Sequence, residues 1–299
     1  MYKLALITFT YSRTQFYEFQ GQRSVNNREG AINSLKWFDR YLSSLGETED
    51  SVMPKLLEIK NKDEFYLFLN GFVQFMVSSK LLSINAIQTY LSFTKSYFRK
   101  HGFKIYNEDV KQFISMPRKI KETRVPLTKK EIKLLLAEAS PYMKMVLLWL
   151  ASSGMRISEF LQLTKLDVKL DMDPVQIHLR GETTKTKTDR VTFISQQAKE
   201  SMTKTMFKTY TPLSDLLNVE QQFDHLRTKC KLDTKYRNTN VHHITLHTFR
   251  SFFRTQAGKI NADIAEDIAG HEGYLKQYIR PSLEEKIVFY KQIEPSLTI

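Results

Sequence analysis

The stretch LHTFRSFFRTQAG places His247 and Arg250 three residues apart. Leu246, Phe249, Phe253 and Ala257 recur in it at helical spacing, so it reads as a helix. Residues three apart share a helix face, and the imidazole and guanidinium therefore project to the same side. Upstream, SSGMRISEF carries Arg156 and Glu159; downstream, AGHEGYLKQYIRP carries His271 and Tyr278. Such a set can move a phosphodiester onto a protein hydroxyl. The pentacoordinate transition state adds charge to the non-bridging oxygens, and a planar guanidinium fork grips two oxygens at once. Arg156 and Arg250 would serve there. A phenol has a pKa near ~10, so Tyr278 needs a base or cations to attack, and His247 with the arginines can supply both. Taken alone, Arg156 is more simply a salt-bridge partner of Glu159 or Asp167, and His271 a helix-end residue. His242 and His243 read as structural or near the nucleic acid, not as metal ligands.

The elements that must hold these residues fall into two groups. In the first, Ala31, Leu35, Phe38 and Leu42 form one helical stripe, ending near Gly46. A second helix is predicted from Asn61 to Val77, and a third comes after it with Asn85 as its cap. Thr94 is a polar interruption of the third stripe. Asp109 to Ile114 reads as a short fourth helix, whereas residues 1–23 fit either a strand or a short helix. Next comes MPRKIKETRV, residues 116–125, bounded by Pro117 and Pro126. It reads as an extended basic linker, either an ordinary exposed tether or, as the charge of Arg118, Lys119, Lys121 and Arg124 favours, a strap along a nucleic-acid backbone. The second group opens with a capping box, Thr128 with Glu131, and an apolar helix from Met143 to Leu150 that Gly154 terminates. Val175, Ile177 and Leu179 then alternate, as do Val191 and Phe193, giving a hairpin around GETTKTKTD. From Gln196 the pattern returns to helix, closing with a tail from Leu283 to Ile293 that carries Ile287, Tyr290 and Ile293 on one face. The domains are therefore expected at 1–115, 116–126 (linker) and 127–299, in a mainly α fold with a small β-hairpin.

With 299 residues the chain has room for two cores. Its formal net charge of +13 points to a polyanion partner. Nothing approaches the ~20 apolar residues of a membrane span, and no signal peptide is read at the start, so an intracellular, cytoplasmic protein is expected. A single cysteine, Cys230, excludes an intrachain disulfide and a thiolate metal cluster.

SGMRISEFLQL, TKTKTDR, HTFR, AGHEGYL and the downstream tyrosine occur in the order of the tyrosine recombinases, and the chain from Pro126 on resembles that phage integrase family. The resemblance implies a helical SAM-like core-binding domain followed by a catalytic domain. It implies a site-specific DNA recombinase that cleaves and rejoins duplex DNA through a 3′-phosphotyrosine, without ATP, metal or other cofactor, as a homo-tetramer on a specific attachment or recombination site. Arg156, Lys185, His247, Arg250, His271 and Tyr278 would be catalytic and Glu159 their support. The family protonates the leaving 5′-oxygen from a hairpin lysine; Lys185 and Lys187 compete, and Lys185 has the family's spacing, five residues before Arg190. One departure stands out. The family's tyrosine falls about nine residues after the histidine of the GH pair. Here Arg280 holds that place, Tyr278 stands at seven, Tyr274 at three and Tyr290 at nineteen. YxRPSxEE followed by YKxxEPxLxI looks like the C-termini of archaeal integrases, which favours Tyr278 with Tyr290 second, and with it a mobile element or archaeal virus as source. The rivals are a type IB topoisomerase-like enzyme and a catalytically inactive DNA-binding protein of the same fold.

Overall fold

A computed structural model describes residues 11–59, 61–119, 122–204, 206–207, 211, 214–237, 239, 241–270 and 281–299. The chain divides into two compact units, Met1–Lys121 and Glu122–Ile299, each with its own apolar core.

The first unit is helical: α1 (Arg13–Gly21), α2 (Val25–Ser44), α3 (Glu49–Glu58), α4 (Lys62–Ser78), α5 (Ile84–Lys100) and α6 (Asn107–Phe113). The stripe of α2 is buried, and Phe38 at its centre meets the rings of Phe72 and Phe98 edge-on, at 5.6 and 5.5 Å between centroids. Such edge contacts add to area burial because ring edges are positive and faces negative. Thr94 interrupts the α5 stripe for a reason. Its hydroxyl bonds the Ser34 hydroxyl at 2.9 Å where α5 lies against α2, so a buried polar atom is satisfied. Two elements differ from the sequence reading. The α5 cap is Ser83, whose side chain accepts from the Ala86 N–H, and not Asn85. Helix α3 is absent from the sequence reading: Pro54 inside it disguises a helix that Thr48 caps. The ambiguous start is helical from Arg13, where Ser12 and Gln15 form a capping box.

The second unit holds α7 (Lys129–Glu138), α8 (Pro141–Ser153), α9 (Ile157–Leu161), β1 (Val168–Lys169), β2 (Val175–Leu179), β3 (Arg190–Ile194), α10 (Gln196–Glu200), α11 (Ser214–Lys229), α12 (Leu246–Ala257), α13 (Ala262–Ala269) and α14 (Leu283–Leu297). The expected hairpin is a three-stranded antiparallel sheet, because a two-residue β1 pairs with β2. Helix α8 runs through the middle, with Val146, Leu147, Trp149 and Leu150 sealed from solvent and the Trp149 indole N–H donating to the Ala198 carbonyl at 2.9 Å.

The end of α8 gathers three later elements around it. A helix leaves its last carbonyls without intrahelical partners, and here three in succession are taken by side chains from different elements. Tyr290 of α14 donates to Ser152 O at 2.9 Å, Thr192 of β3 to Ser153 O at 2.7 Å, and Arg250 of α12 to Gly154 O at 2.7 Å. Gly154 itself adopts φ 65°, the left-handed cap that glycine enters without a Cβ penalty. A Cβ there would also lie 2.4 Å from Phe253, so backbone and α12 approach too closely for any other residue. The stripe of α14 is buried on this same unit, with Tyr290 and Ile293 fully covered.

Candidate active site

Turning out of the Gly154 cap, the chain makes Arg156 the N-cap of α9. Its backbone N–H donates to Glu159 Oε2 at 2.8 Å, and its Nη1 to Glu159 Oε1 at 2.7 Å. Glu159 is 1% exposed and binds a second guanidinium, that of Arg190, through Nη2–Oε2 at 2.6 Å and Nη1–Oε1 at 3.2 Å. Burial alone would raise the Glu159 carboxyl. The hydrogen bonds and charge of Arg190, with the backbone and side chain of Arg156, outweigh it and hold the pKa below its usual value. The simple salt bridge between Arg156 and Glu159 is thus present as part of a three-member group.

Arg250 projects from α12 into the same place and is 1% exposed. Nη1 donates to Gly154 O, while Nε and Nη2 are buried with no hydrogen-bond partner among the described residues. Burial first, then the neighbouring Arg156 and Arg190, push its pKa down to about 9 against the pull of Glu159. Two idle donors on a buried cation are costly, and an anion with oxygens to offer is what relieves them.

His247 lies one turn before Arg250 and is exposed to solvent. Partial burial first, then Arg250, Arg156, Arg254 and Arg124, hold its pKa below 6.5. Arg156, His247 and Arg250 line one cleft of about 470 Å³, faced by Phe223, Asp224 and Arg227 of α11. His242 also lines it, with Nδ1 2.9 Å from the Asp233 carbonyl, and the His243 ring packs on Tyr236. Among the described residues no group of three or more His, Cys, Asp or Glu is arranged to hold a metal ion.

A pH dependence arises from His247. Its folded pKa lies below its unfolded value, so as pH falls through about 6.5 the unfolded chain takes up the proton first. The DNA-free protein is therefore expected to lose thermal stability as pH falls below that value, the loss levelling off below the folded pKa. His247→Gln should remove that portion of the slope. Melting curves between pH 5 and 8 (a range about the ordinary histidine pKa) check it, and an unchanged slope in the variant would contradict the assignment.

Lys185 is exposed on the β2–β3 loop and makes no hydrogen bond or ion pair among the described residues, whereas Lys187 turns back to donate to the Glu182 carbonyl at 3.0 Å. Arg118, Lys119 and Arg124 are exposed in a stretch without regular structure, and the Arg124 guanidinium rests over the Tyr236 ring at 4.7 Å. Lys121, His271, Tyr274 and Tyr278 lie outside the described residues. Arg190 is a site residue that the sequence reading misses. Its position at the head of a strand is visible there, but its pairing with a carboxylate 31 residues earlier is not.

A sequence model of the phage integrase family matches residues 126–280. The chain belongs to the phage integrase family. As a phage integrase family member it is a tyrosine-type DNA strand transferase, a site-specific recombinase. A comparison with curated protein sequences gives no match. Among solved structures, the fold is similar to that of a lambda integrase fragment, residues 75–356, seen as a dimer bound to a COC′ core site: TM-score 0.60 at 14% identity, over 91% of this chain and 97% of that one. XerH site-specific recombinase in a post-cleavage complex with palindromic difH gives 0.58 at 15%, over 95% and 82%. The Tn1549 transposon integrase with transposon right-end DNA gives 0.57 at 16%, over 94% and 99%. At these identities the likeness is one of fold.

Proposed function

We propose that this recombinase grips the scissile phosphate between Arg156 and Arg250, and that the two unpartnered donors of Arg250 await its oxygens. That pair of idle buried donors beside Arg156 and His247 is the observation that carries the reading. Tyr278 is the nucleophile. Its oxygen bonds to phosphorus, its proton passes to His247, and the bond to the 5′-oxygen breaks as Lys185 protonates the leaving group. His271 hydrogen-bonds a further phosphate oxygen. Lys185 is preferred to Lys187 because Lys187 is already held by the Glu182 carbonyl. The 3′-phosphotyrosine keeps the energy of the broken bond, and attack by a 5′-hydroxyl reverses the step without ATP. The guanidinium groups supply the positive charge that a metal brings elsewhere.

Duplex DNA carrying a specific attachment or recombination site is the proposed substrate, and a homo-tetramer the proposed synaptic species. The tetramer draws support from lambda integrase, whose fold this chain shares and which has been solved as a tetramer bound to a Holliday junction. The YxRPSxEE segment supports an archaeal-type integrase of a mobile element or virus, acting in the cytoplasm. No helix among the described residues is long and apolar enough to cross a membrane.

The deciding experiment captures a covalent protein–DNA adduct, stable to denaturant, from nicked duplexes in a random-sequence pool. No adduct under any condition would sink the reading; relaxation of supercoiled plasmid without a selected site would favour the topoisomerase-like alternative. Binding is also expected to weaken steeply with salt, with a slope of log affinity on log salt of about −0.9 per phosphate contact. Lys119, Lys121 and Arg124 together changed to alanine should flatten it. An unchanged slope would remove the linker from the interface.

A further inference from the structure

We propose that Arg190 is a positioning residue for strand cleavage, sharing the Glu159 carboxylate with Arg156 so that the Arg156 guanidinium is held in place yet left open to phosphate. This rests on the strand-transfer reading above. Each oxygen of Glu159 serves both arginines. Oε1 takes Arg156 Nη1 at 2.7 Å and Arg190 Nη1 at 3.2 Å; Oε2 takes the Arg156 backbone N–H at 2.8 Å and Arg190 Nη2 at 2.6 Å. A buried carboxylate facing one arginine alone would close on it with both oxygens, the bidentate pairing that planar forks favour. A phosphate would then have to compete with Glu159 for Arg156. With Arg190 occupying half of the carboxylate, Arg156 spends only one side-chain nitrogen on Glu159.

The same guanidinium fixes two neighbouring segments. Arg190 is the first residue of β3, directly after the loop that carries Lys185. Its Nε donates to the Ile268 carbonyl at 3.2 Å, near the end of α13. Gly270, the left-handed cap of α13 at φ 72°, lies so close that a Cβ there would stand 2.6 Å from Arg190 Nε. One buried side chain, 5% exposed, thus ties the base of the hairpin and the end of α13 to the carboxylate that sets Arg156.

The test uses full-length protein and the nicked duplexes that the wild-type chain captures from a random pool. Single-turnover cleavage, DNA affinity and melting temperature are measured for Arg190→Gln and Arg190→Lys, each alone and combined with Arg156→Lys. Misplacement of a distant group by an ångström can cost about 100-fold. Arg190→Gln is expected to slow cleavage on that order with affinity changed less than about threefold, and Arg190→Lys, which keeps one bond to Glu159, to recover part of the rate. In the Arg156→Lys background the further loss should shrink to about threefold or less, because the residue acts through Arg156. Wild-type cleavage by Arg190→Gln, or an equal fractional loss in both backgrounds, would overturn the inference and leave the strand-transfer reading intact. If Arg190→Gln does not fold, the Arg190→Lys pair completes the same comparison. Capture of no duplex by the wild-type chain overturns both.

Discussion

Arg250→Met is expected to abolish cleavage and, at the same time, to raise the melting temperature of the DNA-free protein. Arg250 is 1% exposed, and among the described residues its side chain has one hydrogen bond and leaves Nε and Nη2 unpartnered near the charges of Arg156, Arg190 and Arg254. A buried polar group without a partner costs about 1–3 kcal/mol. Methionine fills a similar length with no charge to desolvate; the loss is one partner for the Gly154 carbonyl, about 1–3 kcal/mol, against two unpartnered donors and a buried charge on the other side. For cleavage the sign is opposite. Removing one preorganised donor from a charge-developing transition state costs ~100–1000-fold, and Arg250 offers two. Arg250→Lys and Arg156→Lys separate charge from shape. Both keep a cation but lose the planar fork, so both should bind DNA and scarcely cleave it. Cleavage within tenfold of wild type (about 1.4 kcal/mol of barrier) in any of the three, or a clear fall in melting temperature for Arg250→Met, would contradict the phosphate cradle.

Tyr278→Phe should lose the covalent adduct completely while keeping DNA affinity, because the substitution removes only the hydroxyl. Tyr290→Phe makes the informative contrast. Its ring is fully buried against Phe193, its hydroxyl donates to Ser152 O, and burial raises its pKa well above the ordinary phenol value. Such a phenol is neither accessible nor easily ionised. Tyr290→Phe is therefore expected to form adduct and to lose about 1–3 kcal/mol of stability, since it orphans a carbonyl at the end of α8. Tyr274→Phe should also form adduct. Mass spectrometry of the tryptic peptide bearing the residual nucleotide decides the matter: a label on any peptide lacking Tyr278 would reassign the nucleophile. Adduct appearing only when two inactive variants are mixed would show that the tyrosine reaches a neighbour's phosphate.

What was legible in the sequence was local. His247 and Arg250 share a helix face by spacing, Glu159 comes within one turn of Arg156, and the amphipathic stripe of α14 marked Tyr290 as core. Glycine at 154 announced the end of α8. The sequence did not say which surface α14 would cover, because periodicity names a face but not its partner. Arg190 escaped for the same reason: an arginine heading a strand looks like many others until Glu159 is folded against it. Helix α3 was hidden by an internal proline, and β1 by its two-residue length. In α5, Ser83 and Asn85 are both good caps by composition, and only the backbone chooses between them.

The three carbonyls at the end of α8 also have an order in time. Their side-chain partners leave the ribosome one after another: Thr192, then Arg250, then Tyr290 of α14. Domains fold as they emerge, earlier segments first. The turn that presents Arg156 therefore stays incompletely braced until α14 has been synthesised. A nascent polypeptide that stops short of Tyr290 lacks one of the three braces, so the Arg156 turn reaches its final support only after the hairpin and α12 are already in place.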